Sequence, residues 1–349
     1  MGLNIHTLKL NLGMKLMTEF SKIDRFDASW ASIEKREGAS LKQLKSIATV
    51  RSVGASTRIE GSKMTDDEVA VLIDKLSLAK LEELEERDEQ EVVGYFEVLD
   101  TIAENYQSIR ITESQVKNLH KILMRHGEKD VWHRGNYKQV SNAVEANLSD
   151  GTKQIIFRTT EPGLNTQDSM RRLFDWYSKD KQTIPLVKAA LFVYDFLSIH
   201  PFQDGNGRLS RLLGSLLLLK NGYSWIQYVS FEHEIESRKS EYYKVLMQTQ
   251  RKRPGENVTE WLSFFISCLI NIQNQLMIKL DENRTEKPIS QREKRIVFFV
   301  QNHAGSASSV IAKKLDMALP TVKKSLSELV LKGVLTKEGQ GKSTGYLMV

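Results

Sequence analysis

The chain has 349 residues, long for one compact domain, so two or three units are expected. Hydrophobic residues make up 40% and charged residues 27%, the composition of an ordinary soluble globular protein. The single cysteine, Cys268, excludes an internal disulfide framework and fits a reducing compartment; in the apolar run Trp261–Leu269 it reads as a small core residue rather than a nucleophile.

The net charge of +6 is unevenly placed: from Pro288 onward there are ten Lys/Arg against four Asp/Glu, and the rest of the chain holds forty of each. Such an excess is the footprint of a nucleic-acid-binding module, and equally of a solvated basic face. The longest apolar run, Leu212–Leu219, is far short of the ~20 residues that cross a bilayer. The N-terminal stretch has neither a continuous apolar core nor a small-residue cleavage site, and His6 stands where a myristoylation motif wants Ser or Thr. A cytoplasmic protein with no membrane partner is expected.

In chain order, Leu41–Val50 and Asp66–Leu84 carry apolar residues at helical spacing. At the end of the first helical stretch lies Ser56-Thr-Arg-Ile-Glu60-Gly61, which puts Ser56 and Glu60 on one helix face. The acidic run Leu81–Glu91 keeps Leu81, Leu84 and Val92 in register and reads as a solvated helix face. A helix over Val116–Arg125 is expected to end at Gly127. Tyr137–Val144 and Gln154–Phe157, flanking the turn Asn147–Gly151, predict a hairpin of two short strands. Helices resume over Ser169–Tyr177 and Leu186–Ser198.

The chain then reads His200-Pro-Phe-Gln-Asp-Gly-Asn-Gly-Arg-Leu-Ser-Arg211, a loop feeding a helix that continues over Leu209–Lys220. Gly205 and Gly207 let the backbone approach a ligand without a Cβ clash. The unpaired N–H groups and dipole of the helix start make an anion site. Arg208 and Arg211, one turn apart, can both reach further phosphates. Asp204 is a hard oxygen ligand of the kind Mg²⁺ takes beside nucleotide phosphates. His200, with an intrinsic pKa near 6.5, can accept a proton from an incoming hydroxyl, and Phe202 anchors the loop in the core. Eight diagnostic positions match by chance on the order of 10⁻⁸ times in a chain this long, so a bland reading of them jointly is set aside.

These residues fill every fixed position of H-x-F-x-[D/E]-G-N-G-R-x-x-R, and the chain resembles the Fic family, tightly over Thr112–Leu219 and more loosely outside it. The resemblance implies a mainly α Fic-type helical core with a small β-hairpin flap, binding ATP and Mg²⁺ and passing AMP to a protein hydroxyl. It implies His200 as base and Asp204 as metal ligand. Gly205, Asn206 and Gly207 would lie on the α- and β-phosphates, with Arg208 and Arg211 on the phosphate chain. The segment Tyr137–Phe157 would be the flap that docks a target protein by strand pairing; Thr159-Thr-Glu-Pro162 replaces the usual proline pair and leaves the target open. Ser56–Gly61 resembles the family's inhibitory motif [S/T]-x-x-x-E-[G/N], which implies that Glu60 pairs with Arg211 and blocks productive ATP binding. In some relatives the same Glu supports removal of AMP, so the reverse reaction stays open. Two rivals are carried: a DNA-binding regulator with a Fic core as nucleotide sensor, and a Fic transferase with a non-ATP donor.

Further helices are expected over Glu236–Gln250 and Val258–Leu280, then a linker over Asp281–Pro288. Beyond it, Ser290–Glu293 forms a capping box ahead of a helix Arg292–Asn302. A second helix, Ser308–Leu315, and a third from Pro320 to Lys332 follow, with Thr321, Lys324, Ser325 and Glu328 facing outward. Val334–Lys337 and Tyr346–Val349 would form a β wing. The whole resembles a winged helix-turn-helix domain, which implies DNA contacts through Lys313, Lys314, Lys323, Lys324 and Lys342, or else a protein-docking or dimerisation role. The third helix lacks Arg, the commonest reader of guanine. The expected domains are 1–110 with the inhibitory motif, 111–281 as the catalytic core and 288–349 as the winged helix. Oligomeric state, a homo-oligomer included, is left open.

Overall fold

The structure is a computed structural model and describes residues 8–77, 84, 86–127, 131–147, 153–285, 290–339 and 344–348. Among the described residues the chain is mainly α, with fourteen α-helices and two small antiparallel hairpins. It divides into two units, Met1–Leu276 and Met277–Val349.

The first unit opens with α1 (Met14–Arg36), α2 (Gly38–Glu60), α3 (Asp66–Ser77), α4 (Arg87–Asn105) and α5 (Glu113–Leu123). α1 was not foreseen in the sequence, because its charged exposed face dilutes the stripe Leu16, Phe20, Ile23, Trp30 and Ile33 that it buries. Gly94 of α4 lies against the backbone of Leu123 so closely that any Cβ there would meet the Leu123 carbonyl oxygen. The predicted continuous acidic helix does not form: Glu86 is an extended N-cap to α4 and Leu81 lies outside the described residues. α5 ends at Leu123 with Met124 as its cap, four residues before Gly127.

Next come β1 (Ala143–Asn147) and β2 (Lys153–Arg158), paired antiparallel from Ala143↔Arg158 to Asn147↔Lys153 with an irregularity between Val144 and Glu145. The expected first strand began too early. Tyr137 forms an isolated bridge with Phe202 instead, and residues 137–142 make the stem of the hairpin rather than a strand. The predicted turn falls at residues 148–152, outside the described residues.

The core of the unit is α7 (Pro185–Ile199) and α8 (Asn206–Lys220), entered after α6 (Leu164–Lys179). Thirteen of the fifteen residues in each of α7 and α8 are buried, the pattern of helices enclosed on every side. A 3₁₀ turn over Ser224–Tyr228 leads to α9 (Phe231–Ser237), α10 (Lys239–Gln250) and α11 (Thr259–Thr285). The expected single helix from Glu236 is broken at Arg238 (φ −116°, ψ 27°), whose guanidinium turns to Glu241 and Ser267. α11 is the one helix among the described residues long and apolar enough to cross a membrane, with a mean hydropathy of 1.3 over Thr259–Asp281, but 56% of that window is buried in the protein. Trp261, Phe265, Leu269, Ile272 and Leu276 form its inward stripe. α11 also runs on to Thr285, through most of the predicted linker.

The second unit holds α12 (Gln291–Asn302), α13 (Ser308–Leu315), α14 (Leu319–Leu331) and the antiparallel strands β3 (Leu335–Glu338) and β4 (Gly345–Met348). The capping box at Ser290 and Glu293 is formed in both directions. Ile296, Val300, Ile311, Val322, Leu326, Leu329, Leu335 and Tyr346 make its core. Ser325, expected outside, is buried beside Leu326, and Thr321 and Glu328 are half-buried; Lys324 is exposed as expected, and Lys342 lies outside the described residues.

Candidate active site

The site forms where α7 stops and α8 starts. His200 caps α7 in the left-handed conformation (φ 53°, ψ 61°), a state a non-glycine residue holds only when its surroundings impose it. The loop that follows is tied by the Asn206 side chain: its Oδ1 accepts from the Phe202 N–H at 2.9 Å and its Nδ2 donates to the Phe202 carbonyl at 2.8 Å. The Asn206 side chain thus shapes the loop, and its backbone N–H opens α8. Gly205 is the left-handed N-cap of α8 (φ 75°), and a side chain there would press on Met124 and His120. The first-turn N–H groups of Asn206, Gly207 and Arg208 have no carbonyl above them in the helix, so the loop and helix start form the expected anion cradle.

The two arginines of α8 engage different neighbours. Arg211, 2% exposed, donates from Nε to Ser56 Oγ (2.8 Å) and from Nη2 to the Ser56 carbonyl (2.9 Å) and Glu60 Oε1 (2.8 Å). Glu60 is the last residue of α2, which Gly61 terminates at φ 116°, so the carboxylate projects from a helix end onto the cradle; a Cβ on Gly207 would collide with it. Burial works against the Arg211 charge, but Glu60, Tyr242 and Tyr95 outweigh it and raise the pKa. Ser56 and Glu60 thus meet Arg211 as their spacing on one helix face allows.

Arg208, also 2% exposed, lies 3.2 Å from Glu91 Oε2 on α4 and 3.5 Å from Asp204 Oδ1. Its Nε is buried without a hydrogen-bond partner, a donor that an anionic ligand would satisfy. Asp204 Oδ2 is 3.2 Å from Arg87 Nη2, and its Oδ1 accepts from the Gly205 N–H at 2.5 Å. Burial would raise the Asp204 pKa, yet Arg208, the Gly205 N–H and Arg87 together hold the carboxyl below its usual range. An ionised carboxylate that is still 39% exposed, beside an anion cradle, is the donor set that Mg²⁺ takes together with phosphates.

Several residues of this site carry no sequence signal of their own. His120 on α5 stacks on Phe202 at 3.8 Å and 6° between ring planes. Its Nδ1 accepts from the Gly135 N–H at 2.9 Å, so Nε2 carries the proton and donates to the Asp204 carbonyl at 3.0 Å. Burial lowers its pKa to about 4, so the ring is neutral. Glu91 and Arg87 reach the site from α4, and Lys138 from the hairpin stem; each is visible only once the helices are packed. The His200 pKa is likewise lowered to about 4, by burial first and then by Lys138, with the Leu197 carbonyl, Glu60 and Asp204 opposing; the imidazole is unprotonated at neutral pH, as a base must be.

Known proteins share this fold. Over 97% of its length the fold matches the crystal structure of a Fic family protein from Desulfovibrio desulfuricans, also over 97% of that chain, with a TM-score of 0.71 and 20% identity. A Fic domain containing signaling protein from Bacteroides thetaiotaomicron matches 74% of this chain and 97% of its own, with a TM-score of 0.58 and 23% identity. The architecture is therefore a Fic-type fold. Residues 110–218 match the Fic/DOC family, so this stretch of the chain is a Fic domain. It is 27% identical over 206 residues to the protein adenylyltransferase Fic of Drosophila willistoni, and 28% over 188 residues to that of Drosophila erecta. Those stretches are 58% and 53% of this chain but only 38% and 35% of the relatives, so the chain spans well under half of their length.

Proposed function

We propose that the chain is a protein adenylyltransferase that moves AMP from ATP to a hydroxyl side chain of a target protein. The observation that carries this reading is the juxtaposition of an unprotonated His200 with the cradle of Gly205, Asn206, Gly207 and Arg208, in a Fic domain whose relatives are named for this activity. The target hydroxyl oxygen bonds to the α-phosphorus, the bond from that phosphorus to the bridging oxygen of the β-phosphate breaks, and pyrophosphate leaves. His200 takes the hydroxyl proton. The first-turn N–H groups of α8 and the Arg208 guanidinium hold the phosphate oxygens and spread the charge that develops on them. Asp204 would hold Mg²⁺, which when bound neutralises phosphate charge. The hairpin β1–β2 is the candidate docking edge for the target segment.

Glu60 is proposed as a brake. Its carboxylate occupies Arg211, the partner the far phosphates need, and ATP must displace it to bind productively. The same carboxylate beside the α-phosphate site could activate water for the reverse reaction. For the second unit we propose a winged helix-turn-helix role on nucleic acid, supported by the exposure of Lys313, Lys314, Lys323 and Lys324. The rival, a nucleotide sensor, leaves the unprotonated His200 without a task; a donor other than ATP would use the same cradle.

The test is incubation of wild type, Glu60→Gly and His200→Ala with labelled ATP and Mg²⁺, reading label on protein. Strong label in Glu60→Gly and little in wild type is expected. Placing His200→Ala in the Glu60→Gly background should cut label by about 10²–10⁴-fold, the range of a lost general base. Equal label in wild type and Glu60→Gly would overturn the brake. No label in any of them, with ATP still bound, would favour the sensor.

A further inference from the structure

Lys138 is 2% exposed, and its bonded partners are all neutral oxygens: Thr159 Oγ1 at 2.7 Å, Asn142 Oδ1 at 2.8 Å and the Ile199 carbonyl at 3.4 Å. Its backbone N–H donates to the Pro201 carbonyl at 2.9 Å. One residue thereby takes both carbonyls flanking His200, the residue held in the left-handed conformation. The other half of the cluster belongs to the hairpin. Asn142 is the last residue before β1 and Thr159 the first after β2; the Thr159 hydroxyl bonds to Asn142, and Asn142 Nδ2 donates to the Phe202 carbonyl at 3.0 Å. Burying an ammonium with no carboxylate in contact is costly, and burial lowers its pKa to about 8 with only Glu161 opposing. An apolar side chain could fill the space without that cost, so its presence calls for a reason beyond packing.

We propose that Lys138 is a positioning residue for the transfer reaction: it fixes the strained backbone of His200 and, through Asn142 and Thr159, clamps the stem of the docking hairpin to that same base. The target edge and the proton acceptor are then set at a fixed separation before ATP arrives, which is what in-line attack requires. This rests on the adenylyltransferase reading for its kinetic consequence, but the geometry of His200 can be read without turnover.

The test uses full-length Glu60→Gly protein as parent, with Lys138→Met and Lys138→Arg added. Two quantities are measured: AMP transfer against ATP affinity, and the titration of the His200 ring by histidine-selective NMR. The charged groups facing that ring are Lys138, which lowers its pKa, and Glu60 and Asp204, which raise it. With Glu60 already removed, losing Lys138 leaves Asp204 as the one charge acting on the ring, and it acts upward. Lys138→Met should cut kcat by about 10- to 100-fold, the scale on which misplacement of a reacting group acts, with ATP affinity unchanged. The His200 titration should move up toward that of an ordinary histidine, and Lys138→Arg should recover part of both. A Lys138→Met protein that keeps kcat and the His200 titration of its parent overturns the proposal. So does a loss that falls wholly on ATP affinity. A parent that transfers no AMP refutes the adenylyltransferase reading, while the NMR titration still decides whether Lys138 governs His200. If Lys138→Met does not fold, Thr159→Val removes the hydroxyl that accepts from Lys138 and donates to Asn142 while leaving the ammonium in place. Then kcat should fall with ATP affinity held, and unchanged kcat overturns the clamp.

Discussion

Two regions of the chain carry paired basic residues on helices, and they hold them in opposite ways. In α8, Arg208 and Arg211 are each 2% exposed and sit within 3.2 Å and 2.8 Å of carboxylates delivered by α4 and α2. In α13 and α14, Lys313, Lys314, Lys323 and Lys324 stand exposed around a core built on apolar residues. A guanidinium is buried only where counter-charge and hydrogen bonds offset its desolvation. In α8, Glu91 and Glu60 supply that counter-charge, the groups that phosphates would replace under the proposed function. Exposed lysines cost nothing to place and act only through screened attraction. Net charge alone would point to the second region; burial points to the first.

The largest expected effect separates the two regions by activity. In the Glu60→Gly background, Arg211→Met should cut AMP transfer by about 10²–10³-fold, the usual effect of losing one donor to developing charge. Replacing Lys323 and Lys324 with Ala should leave it unchanged. Comparable losses from both would show that the buried pair holds no privileged place.

Stability gives the next contrast, and the five tryptophans, Trp30, Trp132, Trp176, Trp225 and Trp261, all lie in the first unit, so fluorescence reports its unfolding alone. Glu60→Gly leaves the Arg211 guanidinium buried without its counter-ion and should cost about 3 kcal/mol, toward the low end for a broken buried pair because Glu60 is 33% exposed. Saturating ATP should restore part of that loss by binding the folded state. The lysine variants should stay within about 0.5 kcal/mol of wild type. A Glu60→Gly protein as stable as wild type would mean that the pair is not a compensating one.

The same contrast explains what could be read from sequence. The cradle was legible because a single loop and helix start hold all of its members, and Ser56 and Glu60 because one helix face holds both. The partners Arg87, Glu91, His120 and Lys138 were not, since each touches the site only through packing of α4 and α5 against α8 or of the hairpin stem against the loop after α7. The longer reach of α11 to Thr285 was missed where polar residues extend the helix past Leu280, because hydrophobic periodicity fades there. The early start given to the first strand has another cause: Tyr137, Val140 and Val144 are strand-favouring residue types, while the Lys138 N–H bonds to the Pro201 carbonyl instead of a strand. In the second unit the caps, proline and glycine are local signals, and its helices fall within a residue or two of their expected positions.

Acid should weaken the first unit. His120 and His200 both have pKa values lowered to about 4, chiefly by burial, against about 6.5 in an unfolded chain. Between those values the unfolded chain binds protons that the folded site refuses, so stability is fully present above about pH 6.5 and is lost as pH falls toward 4. Asp204, held below its usual range, adds a loss only further down, as pH falls through its lowered value. Urea midpoints read by tryptophan fluorescence should decline through this window. A midpoint flat from neutral pH to about 4.5 would mean that the two rings accept protons in place.

The smallest expected effect concerns the exposed lysines. If α14 lies on duplex DNA, its lysines meet phosphates and release counter-ions, and removing each lysine–phosphate pairing should flatten the dependence of log affinity on log salt by about 0.9. Lys323→Ala with Lys324→Ala in the full-length chain should therefore lower the slope by about two, with binding weakened alike on duplexes of different sequence, because α14 carries no arginine to read guanine. An unchanged slope would remove α14 from the nucleic-acid surface and leave the second unit's basic face as a solvated one. A loss confined to one duplex sequence would instead make these lysines base readers, and the exposed pair would then be as specific a device as the buried one.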